Sequence, residues 1–286
     1  MPDFGLMPYE KYKKENGLFD LEKLLNDPNV YLSHHMHEGI KRLEVINLPN
    51  GMVYYAKPVG SLREASAEKV LSKMYQLLGF LSPETTIAEY KGTLYALTND
   101  VLPSHNTERG YVFLRALCPG GEQYVLPSIY TMGEKSRYYK AFKSPILKQI
   151  PTIYGIALGS RNWDMNYCNL NFRFENKVHE QALGLVLIDF GKSHDNGEGM
   201  LSIKYTTPFD HKRASMYELY RQFVDASRTA PELVDLKNIS SEMYRGIDSI
   251  NSIVEESKND GFVPDAEYVE NLKRTMDETA RAFERE

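Results

Sequence analysis

The sequence predicts an α+β protein of two lobes, a small β-rich N-terminal lobe over residues 1–100 and a mainly helical C-terminal lobe over residues 101–286. Two observations predict this division. The first hundred residues contain a hairpin, a helix and a second hairpin, which is the pattern of a sheet with one helix packed on it. From Val101 onward, helical patterns predominate and are interrupted by one pair of strands.

The first hairpin is predicted from two extended runs, Leu43–Leu48 and Met52–Lys57, which are joined by a turn containing Asn50-Gly51. Asn-Gly is a strong hairpin signal because both turn positions must tolerate a positive φ. The second hairpin is predicted around a Lys-Gly turn, and its strands are Thr85–Tyr90 and Thr93–Thr98.

The helices are predicted from apolar residues at helical spacing. Leu62–Leu78 is the helix of the N-terminal lobe, and Gly79 suits its C-terminal end. Ser144–Leu158 is a buried helical region in which Pro151 marks a bend or a second start. Three further helices fill the last third of the chain: Ser215–Ala226, Ser240–Glu255 and Asp265–Arg285, the last with Asp265 as its cap.

Composition excludes several classes of protein. There are 34 Lys and Arg residues against 39 Asp and Glu, and the net charge of −5 argues against a protein that coats nucleic acid. No apolar run approaches the roughly 20 residues that span a bilayer, and the first residues do not resemble a secretion signal. Two cysteines, Cys118 and Cys168, cannot form a disulfide framework. We therefore expect a protein of the cytoplasm, or one translocated into another cell's cytosol.

Polar residues around the strand pair of the C-terminal lobe carry the clearest chemistry. The strands are predicted over Leu170–Phe174 and Leu183–Ile188. Asp164 and Asn169 precede the first strand, and Asp189-Phe190-Gly191 follows the second. This order is a phosphoryl-transfer layout. Mg²⁺, or Mn²⁺, prefers oxygen ligands, which the side chains of Asn169 and Asp189 would supply.

The remaining residues of these two motifs have predicted roles as well. Asp164 would orient the acceptor hydroxyl and take its proton. Gly191 would let the backbone turn away from the metal. Asp-Phe-Gly alone occurs by chance and often ends a strand, and Asp-x4-Asn alone is weaker still. Their order, with a buried strand directly before Asp189, favours the metal-site interpretation.

A lysine in the N-terminal lobe completes the candidate site. Lys57 ends the second strand of the first hairpin, where its ammonium group could reach the α- and β-phosphates of ATP. The lysine needs a carboxylate to fix its position, and Glu64 and Glu68 share one face of the following helix. We favour Glu68. The alternative to this ion pair is that Lys57 is a solvated residue at the end of its strand and that Glu64 and Glu68 lie on a solvated helix face, as lysine and glutamate usually do.

Taken in order, the motifs between about Val53 and Gly191 resemble the atypical branch of the protein-kinase-like superfamily, which includes the HipA-like kinases and the phosphatidylinositol 3/4-kinase-like enzymes. Tyr55–Pro58 is similar to the lysine strand of that branch, and Glu68–Pro83 resembles the HipA-like glutamate helix. Leu187–Gly191 resembles the phosphatidylinositol-kinase metal motif. The resemblance implies a two-lobed kinase fold in which Lys57, Glu68 and Asp164 are catalytic and ATP and Mg²⁺ bind between the lobes.

Three further residues, Ser33, Gly39 and Leu97, are expected to contact the nucleotide. No loop with three glycines precedes the lysine strand, so the segment from Ser33 to Gly39 is the nearest candidate for a phosphate-covering loop. A metal-binding tract or a plain surface turn is the alternative. Leu97–Val101 would connect the lobes, where adenine binds in this superfamily through backbone groups.

Departures from the family leave the activity open at this stage. Asn162-Trp163 stands where ordinary protein kinases have His-Arg, and Asp164-Met165-Asn166 stands where the atypical families have Asp-Arg-His. We expect transfer of the ATP γ-phosphoryl group to a hydroxyl of a protein substrate, and we favour Ser or Thr as the acceptor residue. The alternatives are a phosphoinositide kinase, a pseudokinase and a nucleotidyl-transferring module. We expect no nucleic-acid partner and no transmembrane segment, and the identity of any regulatory partner is open.

Overall fold

The structure is a computed structural model. It describes residues 12–15, 18–35, 43–47, 53–99, 107–108, 145–162, 170–174, 182–187, 190–191, 200–204, 211–229, 231 and 234–286.

A six-stranded sheet with two helices forms the N-terminal part. The strands are β1 (Phe19–Asp20), β2 (Tyr31–His35), β3 (Leu43–Asn47), β4 (Val53–Pro58), β5 (Thr85–Tyr90) and β6 (Thr93–Asn99), and the helices are α1 (Leu21–Leu25) and α2 (Leu62–Leu77). The sheet order is β1-β5-β6-β4-β3-β2, with β1 parallel to β5 and the other neighbours antiparallel. Both predicted hairpins, β3-β4 and β5-β6, are confirmed.

Local capping fixes both ends of α2. The Ser61 hydroxyl accepts a hydrogen bond from the backbone N–H of Glu64 at 3.1 Å, which satisfies one of the free donors of the first turn. Gly79 follows the helix with φ +88°, a conformation that a residue with a side chain adopts only at a cost. The C-terminal end predicted from Gly79 is therefore confirmed.

Helices dominate the C-terminal part of the described chain. The helices are α3 (Pro145–Gly159), α4 (Met216–Thr229), α5 (Leu236–Asn259) and α6 (Ala266–Glu284), and the strands are β7 (Thr107–Glu108), β8 (Leu170–Phe174), β9 (Ala182–Leu187), β10 (Met200–Lys204) and β11 (His211–Ser215). Asp265 caps α6 as predicted. Asp235 caps α5, so this helix begins four residues before the predicted start at Ser240.

The apolar face of α2 belongs to the core of the helical part. Val70, Leu71 and Met74 are fully buried in one cluster with side chains of α3, α5 and α6. The sheet has a second cluster, which includes Tyr54 and Leu97. Ala65 of α2 is buried in a third cluster with side chains of β5 and β6, so α2 is packed against both the sheet and the helices.

Several strands were not predicted from the sequence. The segment from Ser33 to Gly39 was expected as a loop, but Ser33 to His35 belong to β2, which pairs with β3. The partner is the next strand, β3, but the polar residues Ser33, His34 and His35 give little strand propensity by themselves. Strands β1, β7, β10 and β11 were not predicted either. Strands β1 and β7 pair with strands that are distant in sequence, whereas β10 and β11 pair with each other.

The lobe boundary predicted near residue 100 falls in a stretch outside the described residues and stays a prediction. Within the described residues, no helix combines the length and the apolar character needed to cross a membrane.

Candidate active site

Lys57 and Glu68 form an ion pair between β4 and α2. The Lys57 Nζ atom donates a hydrogen bond to Glu68 Oε1 at 2.7 Å. The Glu68 side chain is 2% exposed, whereas that of Lys57 is 24% exposed. A buried carboxylate is costly unless several donors compensate its charge. Glu68 is therefore fixed in the interior, whereas the Lys57 side chain keeps partial contact with solvent.

Two backbone amides also donate to Glu68. The N–H of Phe190 donates to Oε2 at 3.0 Å, and the N–H of Gly191 donates to Oε1 at 3.0 Å. Both oxygens of the carboxylate thus accept hydrogen bonds, and bonds to a charged acceptor are stronger than those between neutral groups. The carboxylate thus joins β4 and α2, which are neighbours in sequence, to the distant Phe190-Gly191 segment.

Gly191 is required here by space. A Cβ atom at this position would lie 2.9 Å from Glu68 Oε1, 3.0 Å from Lys57 Nζ and 3.1 Å from Glu64 Cγ. Its φ lies outside the left-handed region, unlike that of Gly79. We expected the glycine to permit a backbone turn. The structure instead requires it because the backbone approaches the ion pair closely.

Phe190 anchors the same segment in the core. Its ring is fully buried and stacks on Tyr75 of α2, with 5.4 Å between ring centroids and 20° between planes. The Tyr75 hydroxyl donates to the Ile153 carbonyl of α3 at 3.4 Å. Burial raises the pKa of the Tyr75 hydroxyl well above its ordinary value. Sequence reasoning missed Tyr75, although its position seven residues after Glu68 places both on one face of the helix.

Glu64, the alternative partner of Lys57, serves the start of α2. Its Oε2 accepts a hydrogen bond from the N–H of Gly60 at 2.6 Å, while its own N–H donates to the Ser61 hydroxyl. This reciprocal arrangement resembles a capping box. The structure thus pairs Lys57 with Glu68, the partner favoured from the sequence, while the catalytic role of each residue stays a prediction.

The other predicted site residues are only partly covered by the structure. Asp164, Asn169, Asp189 and Gly39 lie outside the described residues. Ser33 lies in β2.

Leu97 lies within β6 and not in the connection between the lobes. It is opposite Ala56 of β4 and Thr86 of β5, and its side chain is buried in the sheet cluster. Because β6 continues to Asn99, any connection between the lobes begins later than predicted. A contact between Leu97 and the nucleotide stays a prediction.

Helix α3 ends directly before the predicted catalytic loop. The N–H of Asn162 donates to the Ala157 carbonyl at 2.9 Å, and Arg161 has φ 52°. A residue in the left-handed conformation with this backward hydrogen bond is a common way to end a helix. Asn162 is fully buried, so the chain enters the segment of Asp164 from a fixed point.

Comparison with known proteins gives structural matches only. No protein-family model matches the chain, and no curated protein matches it in sequence. The solved structure of the proinflammatory kinase CtkA of Helicobacter pylori is similar, with a TM-score of 0.56, 14% identity, and coverage of 89% of this chain and 92% of that chain. A chain of the toxin–antitoxin complex of HipA, HipB and operator DNA from Shewanella oneidensis MR-1 is similar as well, with a TM-score of 0.51 and 11% identity. The match covers 90% of this chain but 64% of that chain.

At these identities the comparisons establish the fold. The phosphatidylinositol-kinase part of the sequence resemblance stays an expectation. The chain has a two-lobed, α+β, protein-kinase-like fold and resembles the solved structures of CtkA and HipA.

Proposed function

We propose that the protein is a kinase that uses ATP and Mg²⁺, or Mn²⁺, to transfer the γ-phosphoryl group to a Ser or Thr hydroxyl of a protein substrate. One observation carries the proposal. The buried carboxylate of Glu68 binds the Lys57 ammonium group and the backbone amides of Phe190 and Gly191 at the same time.

The arrangement suits a lysine that binds phosphate. A lysine side chain loses much rotational freedom when its ammonium group is held, and Glu68 supplies that restraint from the interior. The Lys57 side chain is 24% exposed, so part of it remains accessible beside the ion pair. In protein kinases the corresponding lysine–glutamate pair must form before transfer occurs. Lys57 would bind the α- and β-phosphates, and Glu68 would keep it in place.

The sheet register supports a phosphate-covering role for the segment from Ser33 to Gly39. His35 of β2 pairs with Leu43 of β3, and Glu44 pairs with Ala56, the residue before Lys57. The chain therefore leaves β2 and enters β3 at the end of the sheet that carries Lys57. Backbone N–H groups that follow Ser33 could contact the same phosphates as the lysine.

The metal and acceptor roles rest on the sequence. Asp189 is joined to Phe190 by one peptide bond, so the proposed metal ligand belongs to the segment that binds Glu68. Asp189 and Asn169 offer the carboxylate and amide oxygens that Mg²⁺ prefers. A bound cation would neutralise charge on the phosphates. Asp164 would orient the acceptor hydroxyl and accept its proton.

A protein acceptor is favoured over a lipid. The HipA-like resemblance is the best match of the upstream motifs, and the chain has no polybasic or amphipathic element suited to a lipid surface. A similar solved structure carries the name of a kinase, which supports phosphoryl transfer without indicating the acceptor.

The test offers ATP labelled on the γ-phosphate to the protein alone, with a protein extract, and with phosphoinositide vesicles. We expect label on protein and none with Lys57→Ala. Label on lipid alone would assign a lipid kinase. ATP labelled on the α-phosphate detects nucleotidyl transfer. A protein that gains thermal stability from ATP and Mg²⁺ but transfers no label to any acceptor would be a pseudokinase.

A further inference from the structure

Helix α2 has a second polar face, directed away from the site. Glu68 and Tyr75 lie on the face toward Phe190. Ser66, Lys69 and Lys73 recur at spacings of three and four and lie on another face, because each residue turns the helix by about 100°. This face contacts the C-terminal hairpin, which we define as α5, α6 and their connection, residues 236–284.

Polar contacts hold α2 to the C-terminal hairpin along its length. Lys69 Nζ lies 3.0 Å from Asp260 Oδ2, and Lys73 Nζ lies 2.7 Å from Glu256 Oε1. The Ser66 hydroxyl accepts a hydrogen bond from the N–H of Asp265 at 2.8 Å. Nearer the start of α2, Arg63 pairs with Glu267. The contacts are therefore made by α2 residues both before and after Glu68 in the sequence.

Apolar packing between the same elements is close. A Cβ atom on Gly246 of α5 would lie 3.1 Å from Met74 Sδ and 3.1 Å from Met276 Cε of α6. The backbone of α5 thus lies close to α2 at this position, and an added methyl group would press on both methionine side chains. Cores packed this closely move as units and not by continuous deformation.

We infer that the C-terminal hairpin is a positioning element for the ion pair, and that Ser66, Lys69 and Lys73 are positioning residues that keep Glu68 within reach of Lys57. Their effect on transfer rests on the proposed function, whereas their effect on Glu68 does not. The physical reason is that an α-helix is stiff. A helix held on one face presents the opposite face at a fixed depth, so release of the hairpin would let Glu68 withdraw from the amides of Phe190 and Gly191.

The Lys73–Glu256 pair offers the sharpest test because both side chains reach solvent and tolerate reversal, with 29% and 48% exposure. Lys73→Glu and Glu256→Lys each place like charges together, and the double variant restores an attractive pair. Hydrogen exchange of the Phe190 and Gly191 amides is the readout. These amides exchange only when they separate from Glu68, so the measurement reports its position without any activity.

We expect each single variant to exchange these two amides roughly 2- to 5-fold faster and the double variant to approach the parent rate. Lys69→Met, which removes a buried charge but keeps the stem, should act in the same direction. Ser240→Ala is the matched control: its hydroxyl lies 2.9 Å and 3.0 Å from the carbonyl oxygens of Leu236 and Ala280, inside the hairpin. It should lower the melting temperature and leave the two amides unchanged.

Exchange at Phe190 and Gly191 that is equal in the parent, Lys73→Glu and Lys69→Met would overturn the inference, even if all variants melt earlier. Transfer measured beside exchange separates the two proposals. Faster exchange in a protein that never transfers phosphate would leave the positioning role standing and end the kinase proposal. Parent-like exchange together with parent-like transfer in Lys73→Glu and Lys69→Met would end the positioning role and leave the kinase proposal standing.

Discussion

The backbone amide of Gly191 donates a hydrogen bond to the Glu68 carboxylate across 123 residues of sequence, at 3.0 Å. A side chain at position 191 would enter the space of that carboxylate. Glu68 therefore does more than hold Lys57. It ties the segment that follows the proposed metal ligand Asp189 to α2, so that the position of α2 and the position of this segment depend on each other.

Gly191→Ala should separate Lys57 from Glu68. The added methyl group would meet Glu68 Oε1 and Lys57 Nζ, and the carboxylate can move only by giving up bonds to its donors. We expect a loss of about 1–3 kcal/mol in unfolding free energy and a fall in transfer of roughly 10²-fold. Chemical denaturation and labelled-phosphate transfer measure the two effects.

Gly92→Ala is the control for this change. Gly92 has φ +75° in the turn between β5 and β6, and nothing lies within 4 Å of its would-be Cβ. Alanine there should cost about 1–2 kcal/mol through backbone strain alone and leave transfer at the parent rate. Equal transfer by the Gly191 and Gly92 variants would contradict the close-approach explanation.

Glu68→Gln should lose transfer while Glu64→Gln keeps it. A neutral amide at 68 cannot hold the ammonium group of Lys57 by charge and places an NH₂ group against the donors of Phe190 or Gly191. We expect a drop of roughly 10²-fold, and Lys57→Ala should fall at least as far. Glutamine at 64 can still accept the bond from Gly60. A damaging Glu64→Gln would show that the wrong partner was assigned.

Asp164→Asn should block transfer without blocking nucleotide binding. The proposed role of this side chain concerns the acceptor hydroxyl, so a rate loss of about 10²–10⁴-fold is expected with little change in ATP affinity. Asp189→Ala should lose both transfer and the stabilisation that ATP and Mg²⁺ confer, and Asn169→Ala should show a smaller version of the same loss. Thermal shifts beside transfer assays measure the contrast. Undiminished transfer by Asp164→Asn would remove the loop assignment.

Alkaline pH should destabilise the parent more than Tyr75→Phe. Burial raises the pKa of Tyr75 in the folded state, so above the ordinary tyrosine value of about 10 the unfolded chain releases a proton that the folded chain keeps. Stability from this group is complete below that value and is lost as pH rises above it. The difference in melting temperature between the two proteins should therefore narrow above about pH 10. A constant difference would show that Tyr75 ionises freely when folded.

Much of the local structure could be predicted from the sequence. The Lys91-Gly92 turn, the Asp265 cap and the Gly79 end of α2 depend on neighbouring residues, and each determines backbone geometry within a few positions. The spacing of the Lys57 strand and the α2 helix likewise reduced the carboxylate partners to two. The fold class followed from the order of these elements.

The tertiary structure alone decided how those elements form a site. The bonds from Phe190 and Gly191 to Glu68, the lack of space at position 191 and the contacts that hold α2 to the C-terminal hairpin join segments more than a hundred residues apart. No local pattern encodes them, because a buried carboxylate is defined by the donors that surround it and these donors come from separate parts of the chain. Sequence determined where the charges are; packing determined which of them are buried together.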